Sequence, residues 1–522
     1  MKDTSQIPSR PGTAHPASEP AASAARSSAA ERPARSEADV VVIGLGPGGD
    51  GLVMDLAART GVGGGGQDGR LEVVGIDEHL IGGECPYYGC IPSKMIRHEI
   101  EHSREAGRSP EWSRVAHRIR SEATDSWDDA AAVERLETAG VRAVHGTARV
   151  TGEREVTVQL NTGGVEVIRA RRAVVLNTGS ESIVPPIGGA EEAGVWSHRD
   201  VLTAAVLPRR LAVVGAGVIA CELGQYLAGF GVEVTMLVRG GELMKTEEPA
   251  ASEILAEAFR REGIDVRFRT EIRRLSRAEG GPVTAELTDG SELEADGILV
   301  ATGRRPRQKV TVDGLCRVLV PQGHAFIGED AVPARGTEPS GWLYAIGDMT
   351  GHGPFTHVAD AEARIVGGEI AAGGSRSAQR PSPANDDDGL PAPTPSATPF
   401  PVHAVPRVTF TEPEIAGVGV TEAQARKQAA EKGWEIAAVT KDLAEVSRGW
   451  IDQVRGSITL VADANEGVLV GASVVGPHAG EVIGALTLAV HAKTPLAELR
   501  RVVWAFPTLH RGIGDALREL GA

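Results

Sequence analysis

Two cysteines, Cys85 and Cys90, stand with four residues between them in the run Gly82-Gly83-Glu84-Cys85-Pro86-Tyr87-Tyr88-Gly89-Cys90-Ile91-Pro92-Ser93-Lys94. Proline just inside a helix start is favourable, so Pro92 places Cys90 at a helix N-terminus. There the helix dipole stabilises a thiolate, the reactive form of cysteine. Three readings of the pair are open: a redox dithiol, a zinc site, or two unrelated buried cysteines. Zinc takes about four ligands, and the remaining cysteines, Cys221 and Cys316, do not form a second spaced pair. The residues favour the redox dithiol.

The segment just upstream says where electrons would come from. Val40-Val41-Val42-Ile43 reads as a buried strand, and Gly44-Leu45-Gly46-Pro47-Gly48-Gly49 follows it and opens an apolar helix. Gly44 permits a tight turn, Gly46 lets backbone approach a pyrophosphate, and Gly49 allows close helix–strand packing. The helix N-terminus attracts the phosphates. Asp77 ends the next strand, where a carboxylate accepts ribose hydroxyls. Its distance from Gly49 is longer than usual, and the glycine run Gly63–Gly66 accounts for the excess.

A second strand–glycine–helix unit begins at Leu211-Ala212-Val213-Val214, with Gly215, Gly217 and Ala220 in the turn. Its partner strand, Val234 to Val238, ends on Arg239 rather than on an acid, and Lys245 follows. An acid there would hold a free ribose hydroxyl, whereas arginine suits a 2′-phosphate. The pattern points to NADPH, with NADH as the other nicotinamide this fold takes. The plainer alternative makes Arg239 a solvated surface residue.

The elements that must position these groups follow from periodicity. Strands are expected at 39–43, 71–77, 141–160, 165–176, 211–214, 234–238, 264–269, 283–288 and 292–300, then at 405–410, 457–462 and 467–475. Helices are expected at 421–431, 479–492 and 495–503. Two βαβ units about 170 residues apart imply two nucleotide domains rather than one long sheet. Residues 1–37, rich in Ala, Ser, Pro and Arg, read as a disordered tail, and 372–401 as a low-complexity linker.

Composition bounds the rest. The chain has 522 residues, a formal net charge of −16 and 41% hydrophobic residues. That length suits about three domains. The acidity argues against a nucleic-acid partner, and no apolar run reaches membrane-spanning length. No secretory h-region is present, and Glu19, Glu31 and Glu37 argue against an organelle transit peptide. A cytoplasmic protein is expected.

With these motifs in order, the chain resembles the pyridine nucleotide–disulfide oxidoreductases, the flavoproteins that include glutathione reductase, dihydrolipoamide dehydrogenase and mercuric reductase. Gly83-Glu84-Cys85 to Lys94 matches the active-site disulfide segment. Asn177-Thr178-Gly179-Ser180 and Ala301-Thr302-Gly303-Arg304 resemble the two Ala-Thr-Gly strand ends. Tyr344-Ala345-Ile346-Gly347-Asp348 resembles the second flavin-contacting motif, Thr356-His357-Val358-Ala359 the helix start beside the flavin ring, and Val408 to Ala416 the entry to the dimerisation domain. The resemblance implies an α/β fold with two Rossmann-like dinucleotide-binding domains plus a C-terminal α+β dimerisation domain. It implies FAD in residues 38–186 and 301–371, NAD(P)H in 187–300, and a homodimer formed through 402–522. Gly44, Gly46, Gly49, Asp77, Gly83, Glu84, Thr178, Gly179, Ser180, Gly347, Asp348 and His357 would then serve the flavin. Gly215, Gly217, Ala220, Gly303, Arg239 and Lys245 would serve the nicotinamide nucleotide.

The same resemblance assigns roles. Cys90 would be the thiolate beside the flavin, Cys85 the interchange thiol, and Lys94 would pair with Glu222 near the flavin; an ordinary surface pair is the alternative. The chain departs from the family at its C-terminus. In place of His-Pro-Thr-x-x-Glu stands Phe506-Pro507-Thr508-Leu509-His510-Arg511. His510 either replaces the missing base or is an interface histidine. Val218 stands where many relatives carry a gating tyrosine. Three functions remain: reduction of a disulfide or other small acceptor, a quinone- or dye-reducing diaphorase with a vestigial dithiol, and a redox-sensing binding protein.

Overall fold

The computed structural model describes residues 33–60, 71–320, 336–372 and 399–520. The glycine insert after Thr60, residues 1–32 and most of the 372–401 segment lie outside them. The first strand, β1 (Ala34–Ile43), begins earlier than expected and takes in the last four residues of the expected tail. Its outer half pairs with 166–170 in parallel. Ser36 donates to Glu166, which also holds Arg142 at 2.7 Å. Polar composition hid this strand because its stabilisation comes from ladder bonds and ion pairs rather than an apolar face.

After β1 come α1 (Pro47–Thr60), β2 (Val73–Asp77), the cysteine-bearing α2 (Glu84–Tyr88) and α3 (Cys90–Glu105), then α4 (Trp112–Arg118) and α5 (Ala130–Thr138). The expected strand over 141–160 is a hairpin, β3 (Arg142–Gly152) and β4 (Glu155–Leu160), leading into β5 (Val165–Leu176). Strands β2, β1 and the end of β5 run parallel, and Val40, Val41 and Val42 are fully buried. Both faces are covered, which is why that run is continuously apolar.

The chain leaves this sheet through β6 (Ser180–Ser182), α6 (Ala190–Ala193) and α7 (His198–Thr203). It then builds a second unit: β7 (Arg210–Val214), α8 (Val218–Gly229), β8 (Glu233–Val238), α9 (Pro249–Arg261) and β9 (Asp265–Phe268). Next come β10 (Ile272–Arg277), β11 (Val283–Leu287), β12 (Glu292–Ala295) and β13 (Gly297–Val300). The run expected as one strand at 292–300 is two. Strand β12 joins the antiparallel β10-β11-β12 sheet, while β13 joins the β13-β7-β8-β9 sheet, parallel throughout. Asp296 separates them and caps Arg210 at 2.9 Å.

The return passes through β14 (Arg304–Pro306), which pairs with β6 in a two-stranded ribbon. Strands β15 (Arg317–Val320) and β16 (Glu338–Ala345) extend the first sheet, and α10 (Thr356–Ala371) packs on α1. Phe400, expected in the linker, is buried against α10 instead. The C-terminal unit is a five-stranded antiparallel sheet in the order β17-β18-β21-β20-β19. Its elements are β17 (Pro406–Thr409), β18 (Glu414–Gly419), α11 (Glu422–Lys432), β19 (Ile436–Asp442), α12 (Ser447–Ile451), β20 (Ser457–Asp463), β21 (Val468–Gly476), α13 (Ala479–His491), α14 (Leu496–Leu499) and α15 (His510–Glu519). The helix expected at 495–503 is only α14. The expected α/β architecture with an α+β C-terminal unit is present.

The first glycine turn shows why the fold tolerates no other residues there. Gly44 has φ 93°, and a Cβ on it would meet the Asn177 carbonyl oxygen at 2.1 Å. A Cβ on Gly49 would meet the Gly44 carbonyl oxygen at 2.0 Å. Gly49→Ala should therefore force α1 away from β1, lowering the melting temperature and the retained cofactor together. An unchanged melt and full cofactor content would show that the turn can yield.

Candidate active site

Helix α3 starts at Cys90, where backbone amides are unpaired, and α2 brings Cys85 alongside it. Both carry free thiols, Cys90 exposed and Cys85 half-buried. Thr356 Oγ1 at the start of α10 lies 3.8 Å from Cys90 Sγ. The hydrogen bond from Cys85 holds the Cys90 thiol down at about 6 against the effect of burial, with Thr356 and the Lys94 charge assisting. The same bond, with burial, pushes Cys85 far above its ordinary value. Near neutral pH the pair is one thiolate, Cys90, and one thiol, Cys85, which donates to it.

One turn along α3, Lys94 Nζ lies 2.8 Å from Glu222 Oε2 on α8 and 4.4 Å from the centre of the Phe410 ring. Glu222 is buried, and its other oxygen accepts the Phe410 N–H at 2.8 Å. Three distant segments meet on one carboxylate. Neighbouring contacts repeat the pattern: Gln225 bonds both backbone groups of Glu412, Tyr226 donates to the Phe410 carbonyl, and Arg97 pairs with Glu414 at 2.7 Å.

Cys85, Cys90, Lys94, Thr356 and Phe410 line a cavity of about 1790 Å³. It also takes in Gly44, Gly46, Asp77, Gly83, Glu84, Thr178, Gly179, Ser180, Gly217, Glu222, Gly303, Gly347, Asp348 and His357. Asp77 braces the glycine turn, accepting from the Leu45 and His79 amides at 2.8 Å each. Asp348 accepts from Ser180, to which Arg304 also donates. His357 Nε2 donates to the Pro406 carbonyl at 2.9 Å and the ring stacks on Phe355. Gly49, Gly215 and Ala220 lie behind the turns, where they set packing. Gly215 has φ 139°, and Ala220 is fully buried. Among the described residues no group of three or more His, Cys, Asp or Glu is placed to hold a metal ion, and no helix is long and apolar enough to cross a membrane.

Two family models cover the chain: pyridine nucleotide-disulphide oxidoreductase over residues 38–363, and the dimerisation domain of the same family over 405–517. The chain belongs to the pyridine nucleotide–disulphide oxidoreductases. It is 34% identical over 455 residues to mercuric reductase of Shigella flexneri, covering 84% of this chain and 74% of that protein. It is 30% identical over 494 residues to dihydrolipoyl dehydrogenase of Haloferax volcanii, covering 92% and 95%. In fold it resembles the crystal structure of LpdA from Mycobacterium tuberculosis, with a TM-score of 0.72, 23% identity and coverage of 93% and 99%. As a member of this family the chain is an NAD(P)H-dependent flavoprotein disulfide oxidoreductase.

The residues present fit the family's FAD. The cavity exceeds the roughly 300–1,000 Å³ of a single small-ligand cleft, and the glycine turn, Asp77 and Asp348 all open onto it. Glu84, immediately before Cys85, contacts His198 at 3.0 Å and pairs with Arg199. Burial, with the Arg304 charge nearby, pushes the His198 imidazole down to about 4, so it is neutral at pH 7.

The structure does not bring His510 to the cysteines of its own chain. It begins α15, stacks 6.3 Å from Trp504, and is not among the residues lining the cavity. Arg239 and Lys245 are exposed and make no ion pair with any described residue. Sequence reasoning missed Arg269. Strands β8 and β9 are parallel with Val238 opposite Phe268, so Arg239 and Arg269 leave adjacent strand ends side by side. The Arg269 guanidinium packs over Gly241. The signal was available in principle, as a cation just past each of two consecutive strands, but using it required their register.

Above pH 6 the reduced protein should alkylate fastest at Cys90, and the rate should fall about tenfold per unit below that, because only the thiolate reacts. Cys85→Ala removes the donor that stabilises the thiolate, so the midpoint should rise. Alkylation against pH, with the modified cysteine identified by mass, measures both. A midpoint near 9 in the parent protein would contradict the paired arrangement.

Proposed function

We propose that this enzyme passes electrons from NADPH, through FAD and the Cys85–Cys90 pair, to a disulfide or another small acceptor, and that it works as a homodimer. The observation that carries the reading is the cysteine pair itself. Two neighbouring cysteines, shifted in opposite directions, line the same cavity as both glycine turns. Held by the first glycine turn, Asp77 and Asp348, FAD would supply two-electron chemistry between the nicotinamide and a cysteine disulfide. The protein's own residues do the rest. Cys90 holds negative charge beside the helix dipole and Lys94. Cys85 keeps its proton until an acceptor is attacked. Glu222 holds Lys94 in place.

NADPH is favoured because Arg239 and Arg269 present positive charge side by side just past the ends of β8 and β9, where neither strand ends on an acid, with Lys245 further along the loop. A homodimer is supported by the exposed apolar side chains of the C-terminal unit, Val503 at 96%, Phe506 at 70% and Leu488 at 66%. In a dimer His510 would serve the partner's dithiol. A second reading, reduction of quinone-like acceptors, is supported by Phe506 in the position of the family's base.

A charge-assisted phosphate contact contributes about 1.5–3 kcal/mol, and each 1.4 kcal/mol is about tenfold. Arg239→Ala should thus weaken NADPH use by roughly ten- to a hundredfold and leave NADH nearly unchanged, with Arg269→Ala acting in the same direction. Equal losses for both nucleotides would remove these residues from the phosphate site. Turnover with disulfide and quinone panels decides the acceptor. Cys85→Ser should abolish disulfide turnover, and His510→Ala, in a protein that remains dimeric, should slow it by about 10²-fold. Quinone turnover surviving both, with no disulfide turnover in the parent enzyme, would select the second reading.

A further inference from the structure

The four residues between the cysteines are gripped from outside. Tyr88 ends α2, and its ring is covered on one side by Arg199, whose guanidinium carbon lies 4.7 Å from the ring centre. Trp127 stacks on the same ring, with centroids 6.3 Å apart and planes at 18°. Arg120 covers Trp127 in turn, 5.2 Å from its ring. Cation, ring, ring and cation form one connected column, with each contact of a kind favourable for aromatic and guanidinium groups. Tyr88, Trp127 and Arg199 also border the cavity, so the column ties part of the cavity wall to α2.

Two further observations show what it holds. Arg199 pairs with Glu84 at the opposite end of α2. One arginine on α7 therefore touches both ends of the short helix that carries Cys85. Trp127 is itself placed by an unusual backbone. A π-helical turn at Ile119–Ala123 is followed by three consecutive non-glycine residues in the left-handed region, Asp125 at φ 43°, Ser126 at 60° and Trp127 at 60°. Such conformations are unfavourable for L-residues and persist where the surroundings enforce them, often at functional sites. The indole Nε1 is buried with no hydrogen-bond partner, a second unfavourable feature at the same residue.

We propose that Trp127 and Arg199 are positioning residues for Cys85: they clamp α2 at both ends and so keep the Cys85 thiol directed at Cys90. The clamp reaches across from the nucleotide-binding half of the chain, since Tyr88 and Trp127 pack against the core that contains β7, α8 and α9. It acts on the thiolate through geometry. Cys85 is the chief stabiliser of the Cys90 thiolate, and it serves only while α2 holds its thiol within hydrogen-bonding reach. The other groups around Cys90 are Lys94 on its own helix, Glu222 on α8, and Thr356 and His357 on α10. None of them belongs to the column. The inference rests on the dithiol reading above.

The test is a pH titration of the long-wavelength thiolate–flavin absorbance in the two-electron-reduced, FAD-loaded dimer, with thiol alkylation against pH as a flavin-independent check. Trp127→Leu changes no charge. It should move both midpoints up by about one pH unit, a tenfold change in the ionisation constant, with stoichiometric FAD retained. Trp127→Phe, which keeps the stack, should keep the parent midpoint. Arg199→Gln should shift as Trp127→Leu does, and so should Arg199→Lys, which keeps the charge but loses the flat face over Tyr88. An unmoved midpoint in Trp127→Leu overturns the clamp, as does a Trp127→Phe shift equal to that of Trp127→Leu. If Trp127→Leu does not fold, the arginine pair decides: a shift in Gln alone means a charge effect and overturns the proposal. No thiolate band in the parent enzyme removes the dithiol reading and the clamp with it. A band that is present and indifferent to all four variants removes only the clamp.

Discussion

Glu222 is the carboxylate on which three parts of the molecule converge. It is buried on α8, holds Lys94 of the cysteine helix with one oxygen, and accepts the Phe410 amide of the C-terminal unit with the other. An isolated buried charge costs several kcal/mol, and the cost is offset only when partners satisfy it from the right directions. Here the partners come from residues 128 and 188 positions away. The orientation of the nucleotide unit, the cysteine helix and the C-terminal sheet is therefore coupled at one point. Gln225, Tyr226, Arg97 and Arg104 reinforce it by binding the Phe410–Glu414 segment.

The pair proposed to carry the chemistry shows a difference imposed on two identical side chains. Cys85 and Cys90 have the same intrinsic acidity, yet their environments separate them in opposite directions. Position explains this. Cys90 opens a sixteen-residue helix and has Lys94 one turn along, whereas Cys85 sits within α2 and donates to its partner. A hydrogen bond to the charged form favours that form, and the donor becomes harder to ionise as a consequence. Cys221 and Cys316 are the contrast. Both are buried in apolar surroundings that push the thiol up beyond the reach of neutral pH, so they act as small core residues.

Charge patterning does separate work at each end of the nucleotide units. Near the glycine turns acids are consumed internally: Asp77 braces the turn, and Glu84 is neutralised by Arg199 with His198 and Arg304 beside it. Past the ends of β8 and β9, Arg239 and Arg269 make no ion pair with any described residue. In a chain of net charge −16, Arg239 and Arg269 side by side form a local field opposed to the global one, which suits an anionic ligand.

The sequence alone determined the fold class, the order of the motifs and the identity of the cysteine pair, because each depends on local spacing. A strand ending in a glycine turn, or a cysteine before Ile-Pro, carries its meaning within a dozen residues. It also made Lys94 and Glu222 candidates through family resemblance, without saying that Phe410 would complete them. Only the tertiary structure decided matters that depend on register and long-range approach. The start of β1 at Ala34 relies on its ladder with β5 rather than on apolar periodicity. The division of 292–300 between two sheets turns on Asp296 and the edge that each half meets. Arg269 joins Arg239 only because β8 and β9 run parallel in one register. Arg199 and Trp127 reach Tyr88 from segments more than thirty residues distant, and no local pattern encodes a contact of that kind.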